Sequence, residues 1–313
     1  MIYVLGDSFS NPGYGATSGH GYVDVLRQLM GNPPVTNFGI AGGMTADQTT
    51  HLCSIAISGA DESIVELGTN DHWNYKNDPV KMEYFAAGIQ SVIAYLATPA
   101  KTLGKNVLLS DLTGVWNNTA SFGIGKMASQ IGSTLKFRAS GKTVYLGGIQ
   151  FDGISGAFSV AIDGADKGAF QVNAPGMTTT SGMPCGQRLY RFPDLSDCDH
   201  DVLITMTGGQ YIYAEWCAGS DQAEKPPVYV CALTKMTPAC YASRSPLSDA
   251  TLAQYNAILR QAVDQFRADG MNVAFVESSA VFFPDCDTFS DGLHPNDTGH
   301  AKIAMNLLGA MAC

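Results

Sequence analysis

Apolar runs of four or five residues alternate with longer stretches of helical period through the first third of the chain. Ile2 to Leu5 is the first such run, with β-branched and aromatic members that suit a buried strand, and Gly6 breaks it. Asn11 to Gly21 is rich in Gly, Ser and Asn and reads as a loop. Tyr22 to Met30 carries Val25, Leu26 and Leu29 at helical spacing and stops at Gly31-Asn32-Pro33-Pro34. Val35 to Phe38 reads as a second strand, Thr45 to Ile57 contains a helix, and Ser63 to Leu67 is a third strand. Asp78 and Pro79 fit an N-cap and a first helical position, and the helix they open runs to about Leu96. Asn106 to Leu112 reads as a fourth strand. Strands alternating with helices through short loops predict a parallel α/β sheet.

That rhythm stops at Thr113. From about Trp116 to Lys235 the chain changes to short alternating runs separated by Gly and Asp turns. TLKFRAS (134–140), KTVYLGGI (142–149), AFSVAID (157–163), DVLITMT (201–207) and YIYAEWC (211–217) are such runs, and their spacing predicts an antiparallel β-sandwich. Helical period resumes from Leu247 to Ala268, started by Ser248 or Asp249 and ended by Gly270. Asn272 to Glu277 is a fifth strand, and Asp297 to Ala312 closes the chain as a helix. The expected organisation is therefore a discontinuous α/β domain, residues 1–112 and 245–313, with residues 113–244 inserted as a β-sandwich. Leaving from the end of strand 106–112, the insert would start at the rim where ligands bind in open α/β sheets.

Composition changes this picture only in places. At 313 residues, 45% hydrophobic and 15% charged, the chain can build a full globular core. A net charge of −10 without a Lys/Arg cluster argues against a nucleic-acid partner, and no run approaches the length of a membrane span. Eight cysteines, none in a CxxC pair, argue against a zinc ribbon and favour disulfides in an oxidising compartment. A secreted or cell-surface protein is expected, although no signal peptide precedes Ile2 in this chain. His20, His51, His72 and His200 lack metal-ligand spacing with nearby Cys, Asp or Glu, so neither a metal nor a cofactor is expected.

Four short blocks carry the candidate chemistry: Gly6-Asp7-Ser8, NFGIAGG (37–43), ELGTND (66–71) and SDGLHPN (290–296). Serine, histidine and aspartate are the residue types of nucleophilic acyl transfer, and Asp291 and His294 sit three apart on one loop. In that order the blocks resemble the SGNH (GDSL-type) hydrolase family, with Phe9 where the family has Leu. The resemblance implies a flavodoxin-like three-layer fold over the α/β part. It also implies Ser8 as nucleophile, His294 as base, Asp291 as its orienting acid, and an oxyanion hole from Ser8, Gly42 and Asn70. Asp7 would support the turn; Asn70 could equally serve as a cap. The middle of the chain resembles the jelly-roll, galactose-binding-like modules of some carbohydrate esterases. The expected function is then a serine esterase that removes O-acetyl groups from a polysaccharide. The alternatives are a lipolytic esterase or thioesterase with the insert as lid, and a carbohydrate-binding protein with a vestigial triad. Trp73 and Tyr75 could stack on a sugar ring or pack in the core.

Overall fold

The computed structural model describes residues 1–10, 14–118 and 125–312; the start of the loop expected at 11–21 and the eighth cysteine, Cys313, fall outside them. The first third contains β1 (Ile2–Gly6), α1 (Tyr22–Leu29), β2 (Val35–Asn37), α2 (Thr45–His51), β3 (Glu62–Glu66), α3 (Thr69–Tyr75) and α4 (Pro79–Ala97). The Asp78 carboxylate accepts from Val80 N and Lys81 N, so the sequence-read cap of α4 is made.

The chain then enters two antiparallel sheets. In order these use β4 (Lys101–Leu103), β5 (Leu112–Thr113), β6 (Trp116–Asn118), β7 (Lys126–Ala128), β8 (Thr134–Ser140), β9 (Val144–Phe151) and β10 (Gly156–Ile162). They continue with β11 (Ala165–Gln171), β12 (Cys185–Phe192), β13 (Asp199–Gly209) and β14 (Ile212–Gly219). One sheet runs β12-β9-β14-β7-β6 with β4 beside β14, and the other runs β11-β10-β13-β8-β5. Phe137, Leu146, Val160, Ile204 and Ile212 fill the space between them. The chain returns through β15 (Val228–Cys231), α5 (Pro238–Ala242), α6 (Asp249–Ala268), β16 (Val273–Val276), α7 (Ser278–Val281), α8 (Pro284–Asp287) and α9 (Asp297–Met311).

The parallel sheet has the order β16-β15-β3-β1-β2, every pair parallel. This is the flavodoxin-like doubly wound order, with its switch point between β1 and β3. Successive residues face opposite layers. Val4, Ile64 and Tyr229 meet Tyr22 and Leu26 of α1 and Ile303 and Leu307 of α9. Leu5, Val65 and Val230 meet Ile89 and Val92 of α4 and Leu259 and Val263 of α6. The parallel α/β domain with an inserted antiparallel sandwich is thus present.

The position of the insert differs from the sequence reading in two ways. Residues 106–112 form no strand of the parallel sheet; they are tight turns with Leu108 and Leu109 64% and 85% exposed, and β5 belongs to the sandwich. The place beside β3 is taken by Val228–Cys231, buried on both faces. A central parallel strand needs apolar side chains on both sides, which VYVC supplies and NVLLSDL, with Ser110 and Asp111, does not. The chain therefore leaves the α/β unit after α4 and re-enters at β15, so the boundaries at 112/113 and 244/245 shift to about 98 and 227. In a right-handed β-α-β crossover, the end of α4 and the start of β15 lie at the rim opposite the ends of β1 and β3. The insert thus begins away from the predicted site, not beside it. Gln222 ties the two junctions, its side chain bonding Ala100 N and Ala100 O.

From there the sandwich lies along α2 and α4. Tyr145, Leu189, Trp216 and Ala218 share a core with Tyr95, Ile93 and Phe266 of the α/β unit. At its edge the Asp269 carboxylate accepts from Tyr145 OH at 2.6 Å, Arg191 Nε at 2.8 Å and Thr143 Oγ1 at 3.1 Å.

Candidate active site

Ser8 sits in the turn directly after β1, at the carboxyl end of the sheet. Ser10 N donates to Asp7 O and Phe9 N to Asp7 Oδ1, which folds the chain back sharply and leaves Ser8 at the apex. Gln48 of α2 holds the turn from beneath, donating to Gly6 O at 2.8 Å and Phe38 O at 2.7 Å.

The loop before α9 brings the acid and base. Ser8 Oγ lies 2.9 Å from His294 Nε2, and His294 Nδ1 lies 2.6 Å from Asp291 Oδ2. Asp291 Oδ1 also accepts the backbone N–H of Leu293 and His294. Partial burial pushes the Asp291 carboxyl up, but the His294 ring and those two N–H groups outweigh it, so it sits below its ordinary value. An ionised Asp291 puts the imidazole proton on Nδ1 and leaves the Nε2 lone pair facing the serine hydroxyl. Gly292 makes the loop possible. Its φ is +71°, and a Cβ there would stand 2.2 Å from Thr237 Oγ1.

Gly42 and Asn70 come from the ends of β2 and β3. Among the described residues nothing accepts the backbone N–H of Ser8 or Gly42, while the Asn70 amide donates to Gly43 O at 3.1 Å. Ser8, Gly42, Asp291 and His294, on loops, and Asn70, at the start of α3, thus stand at one rim of the sheet. Asn70 lies in the first turn of α3 but does not cap it.

Four carboxyl groups underlie this rim. Asp7 and Glu66 are buried side by side, and Glu66 Oε2 accepts from Ser10 Oγ at 3.2 Å. Burial, reinforced by the Asp7 charge, pushes Glu66 well above its ordinary value, while burial lifts Asp7 to about 6. Asp71, raised by burial to about 7, accepts from Thr45 N and Oγ1 at the start of α2. Asp47 accepts Met44 N at the same helix end.

Several roles escaped the sequence. Tyr14 lays its ring 4.1 Å from that of His294, and Phe9 packs edge-on at 5.6 Å. Glu66 stood inside the third block but reads as an ordinary strand residue. His72, more at home on a surface by its polarity, is wholly buried against Thr251 and Tyr255, and burial lowers it to about 4. Tyr75 is core, and Trp73 lies under the Arg244 guanidinium. The expected disulfides are not formed: the seven cysteines among the described residues are free thiols. Burial pushes Cys185 up to about 12 and Cys53, Cys217 and Cys231 up as well, so they behave as small apolar side chains.

No protein-family model matches the sequence, and no curated protein matches it. Solved structures do match. The chain is similar to the lipase/acylhydrolase from Enterococcus faecalis at 10% identity and a TM-score of 0.47, over 99% of this chain and 94% of that one. It is similar to the Clostridium thermocellum family 3 carbohydrate esterase at 13% identity and a TM-score of 0.44, over 100% of this chain and 98% of that one. The carbohydrate-binding module CBM36 in complex with calcium and xylotriose matches 38% of this chain over 97% of its own, at 11% identity and a TM-score of 0.29. Among the described residues no helix is long and apolar enough to cross a membrane.

Proposed function

We propose that the protein is a serine esterase that removes small acyl groups, acetyl foremost, from a polysaccharide. The observation that carries this reading is the continuous Ser8–His294–Asp291 hydrogen-bond relay, with the N–H groups of Ser8 and Gly42, which meet no acceptor among the described residues, on the same rim. Ser8 Oγ attacks the acyl carbon while His294 Nε2 takes its proton. The carbonyl oxygen becomes negative and is met by Ser8 N–H, Gly42 N–H and the Asn70 amide. His294 then gives the proton to the departing sugar oxygen as its bond to the acyl carbon breaks. Water attacks the resulting acyl-Ser8 with its proton going to Nε2, and Ser8 leaves with that proton as the free acid forms. Asp291 stays ionised throughout and stabilises the imidazolium.

A polar substrate is supported by what stands beside the site. The segment nearest Gly42 from the sandwich is Thr178–Ser181, hydroxyl-bearing throughout, where a lid over lipid would present an apolar face. A polymer outside the cell would put the enzyme outside as well; the free thiols take away the separate argument from disulfides. The test is an assay of p-nitrophenyl acetate, butyrate and octanoate beside an acetylated polysaccharide, with Ser8→Ala as control. Acetate and polymer should be turned over and Ser8→Ala should be inert with unchanged melting. Preference for octanoate would favour the lipolytic reading, and sugar binding without turnover of any ester would favour a vestigial triad.

A further inference from the structure

The connection from β11 to β12 brings the sandwich back to the rim it starts away from. Its tip is a tight hydroxyl-rich turn: Gly182 N donates to Thr179 O, Thr179 N to Met183 O, and Met183 N to Thr179 Oγ1. That turn presents Thr180 to the glycine block. Thr180 Oγ1 lies 2.7 Å from Gly42 O and 2.9 Å from Asp47 Oδ2, and Thr180 N donates to the same carboxylate at 3.0 Å and 3.1 Å. The hydroxyl has one hydrogen, and the shorter contact is the one to the glycine carbonyl.

Gly42 needs a hold of this kind. Its φ of +71° is a conformation glycine reaches freely and leaves as freely, and swinging its peptide planes would turn its N–H away from the reacting oxygen. The turn is pinned on its other side by Gly43 N on Ile40 O at 2.8 Å and by Asn70 on Gly43 O. On the α2 side, the only side chain among the described residues that bonds Gly42 itself is Thr180. We infer that Thr180 is a positioning residue: through its hydroxyl the sandwich holds the Gly42 N–H aimed into the oxyanion hole. This rests on the esterase reading for its kinetic consequence, but the clamp itself is a property of the backbone.

Thr180→Val removes the hydroxyl at constant shape and keeps the backbone bond to Asp47; Thr180→Ser keeps the hydroxyl. On p-nitrophenyl acetate, Thr180→Val should lower kcat about three- to tenfold, the worth of one hydrogen bond, with KM within about twofold. Thr180→Ser should stay within about twofold of the parent, and both should melt with it. Amide hydrogen exchange over residues 38–48 should be faster in Thr180→Val only. Unchanged kcat in the valine variant of an active parent, a loss confined to KM, or a loss that serine does not rescue would each overturn the inference while leaving the esterase standing. A parent without any esterase activity would sink the esterase reading alone. Exchange would then decide the clamp, and equal exchange in parent and Thr180→Val would refute it.

Discussion

Single side chains at the rim can be separated by what each touches. Asn70→Ala should lower kcat by about 10²–10³ if its amide meets the oxyanion, and the loss should exceed that of Thr180→Val, which acts only through Gly42. A change in KM alone, read from full Michaelis–Menten curves, would make Asn70 a ground-state contact. The Asp7–Glu66 pair makes a different claim. Both folded-state values lie above those of free carboxyls, so the folded protein holds protons that the unfolded chain releases from about pH 4 upward. The pair therefore contributes most in acid, and its contribution is lost as pH rises toward the folded values. Glu66→Gln keeps a donor for Asp7 without a proton to lose. Its melting temperature should gain on the parent's steadily from pH 5 to pH 8, and a constant difference between the two would show that Glu66 is ionised in the native state. The thiols are the plainest residue-scale check: alkylation after unfolding without reductant should mark at least the seven described cysteines.

Elements set which of these residues could be foreseen. The blocks that end β1, β2 and β3 were legible because parallel strands end in Gly-, Asn- and Ser-bearing turns with polar side chains where apolar ones would otherwise stand. The sandwich strands were legible because alternation marks a strand with one face in a core, as β8 and β10 show in their burial patterns. Val228–Cys231 was not, since it lies in an unbroken apolar run, Val228 to Leu233, that follows Pro226-Pro227 and has no period of its own. NVLLSDL takes its place in a reading of the sequence because Val107, Leu108 and Leu109 in a row look like a buried strand. Thr180 left no signal at all; its role depends on a contact 138 residues away. One element-scale support can be tested directly. Asp287, buried at the end of α8, accepts Lys302 Nζ at 2.7 Å and 2.9 Å and Phe283 N at 2.7 Å, and its carbonyl takes Asn296 N, which closes the loop bearing Asp291 and His294. Lys302→Met would leave that carboxylate buried without its cation, at a cost of about 3–5 kcal/mol. Chemical denaturation should read that loss and kcat should fall with it. An unchanged midpoint would mean that solvent reaches Asp287 and screens it.

At the scale of the molecule, five layers stack in order: α1 and α9, the parallel sheet, α2 with α4 and α6, and the two sheets of the sandwich. The middle helices are covered on both sides, which explains why α4 has a largely apolar circumference rather than one apolar stripe. Excising the sandwich would expose that second face, so a shortened chain is expected to be insoluble, not merely altered in specificity. A better measurement leaves the chain whole. Trp216 and Tyr145 of the sandwich pack against Tyr95 and Phe266 in one continuous core, with ring centroids 5.5 Å and 5.7 Å apart. A shared core of this kind predicts one cooperative thermal transition, with calorimetric and van't Hoff enthalpies equal. Asp269 is the place to weaken it. Asp269→Ala would leave Arg191, Thr143 and Tyr145 without their acceptor and cost about 3 kcal/mol or more, at the edge of the interface and away from Ser8. The variant should melt several degrees lower and its transition should broaden or split, the sandwich and the α/β unit loosening from each other. If the Thr180 contact depends on a docked sandwich, kcat on p-nitrophenyl acetate should fall with temperature at the first of the two transitions, before the α/β unit melts. Two resolved transitions in the unmodified protein would instead mean that the layers fold independently and that the interface only joins finished parts.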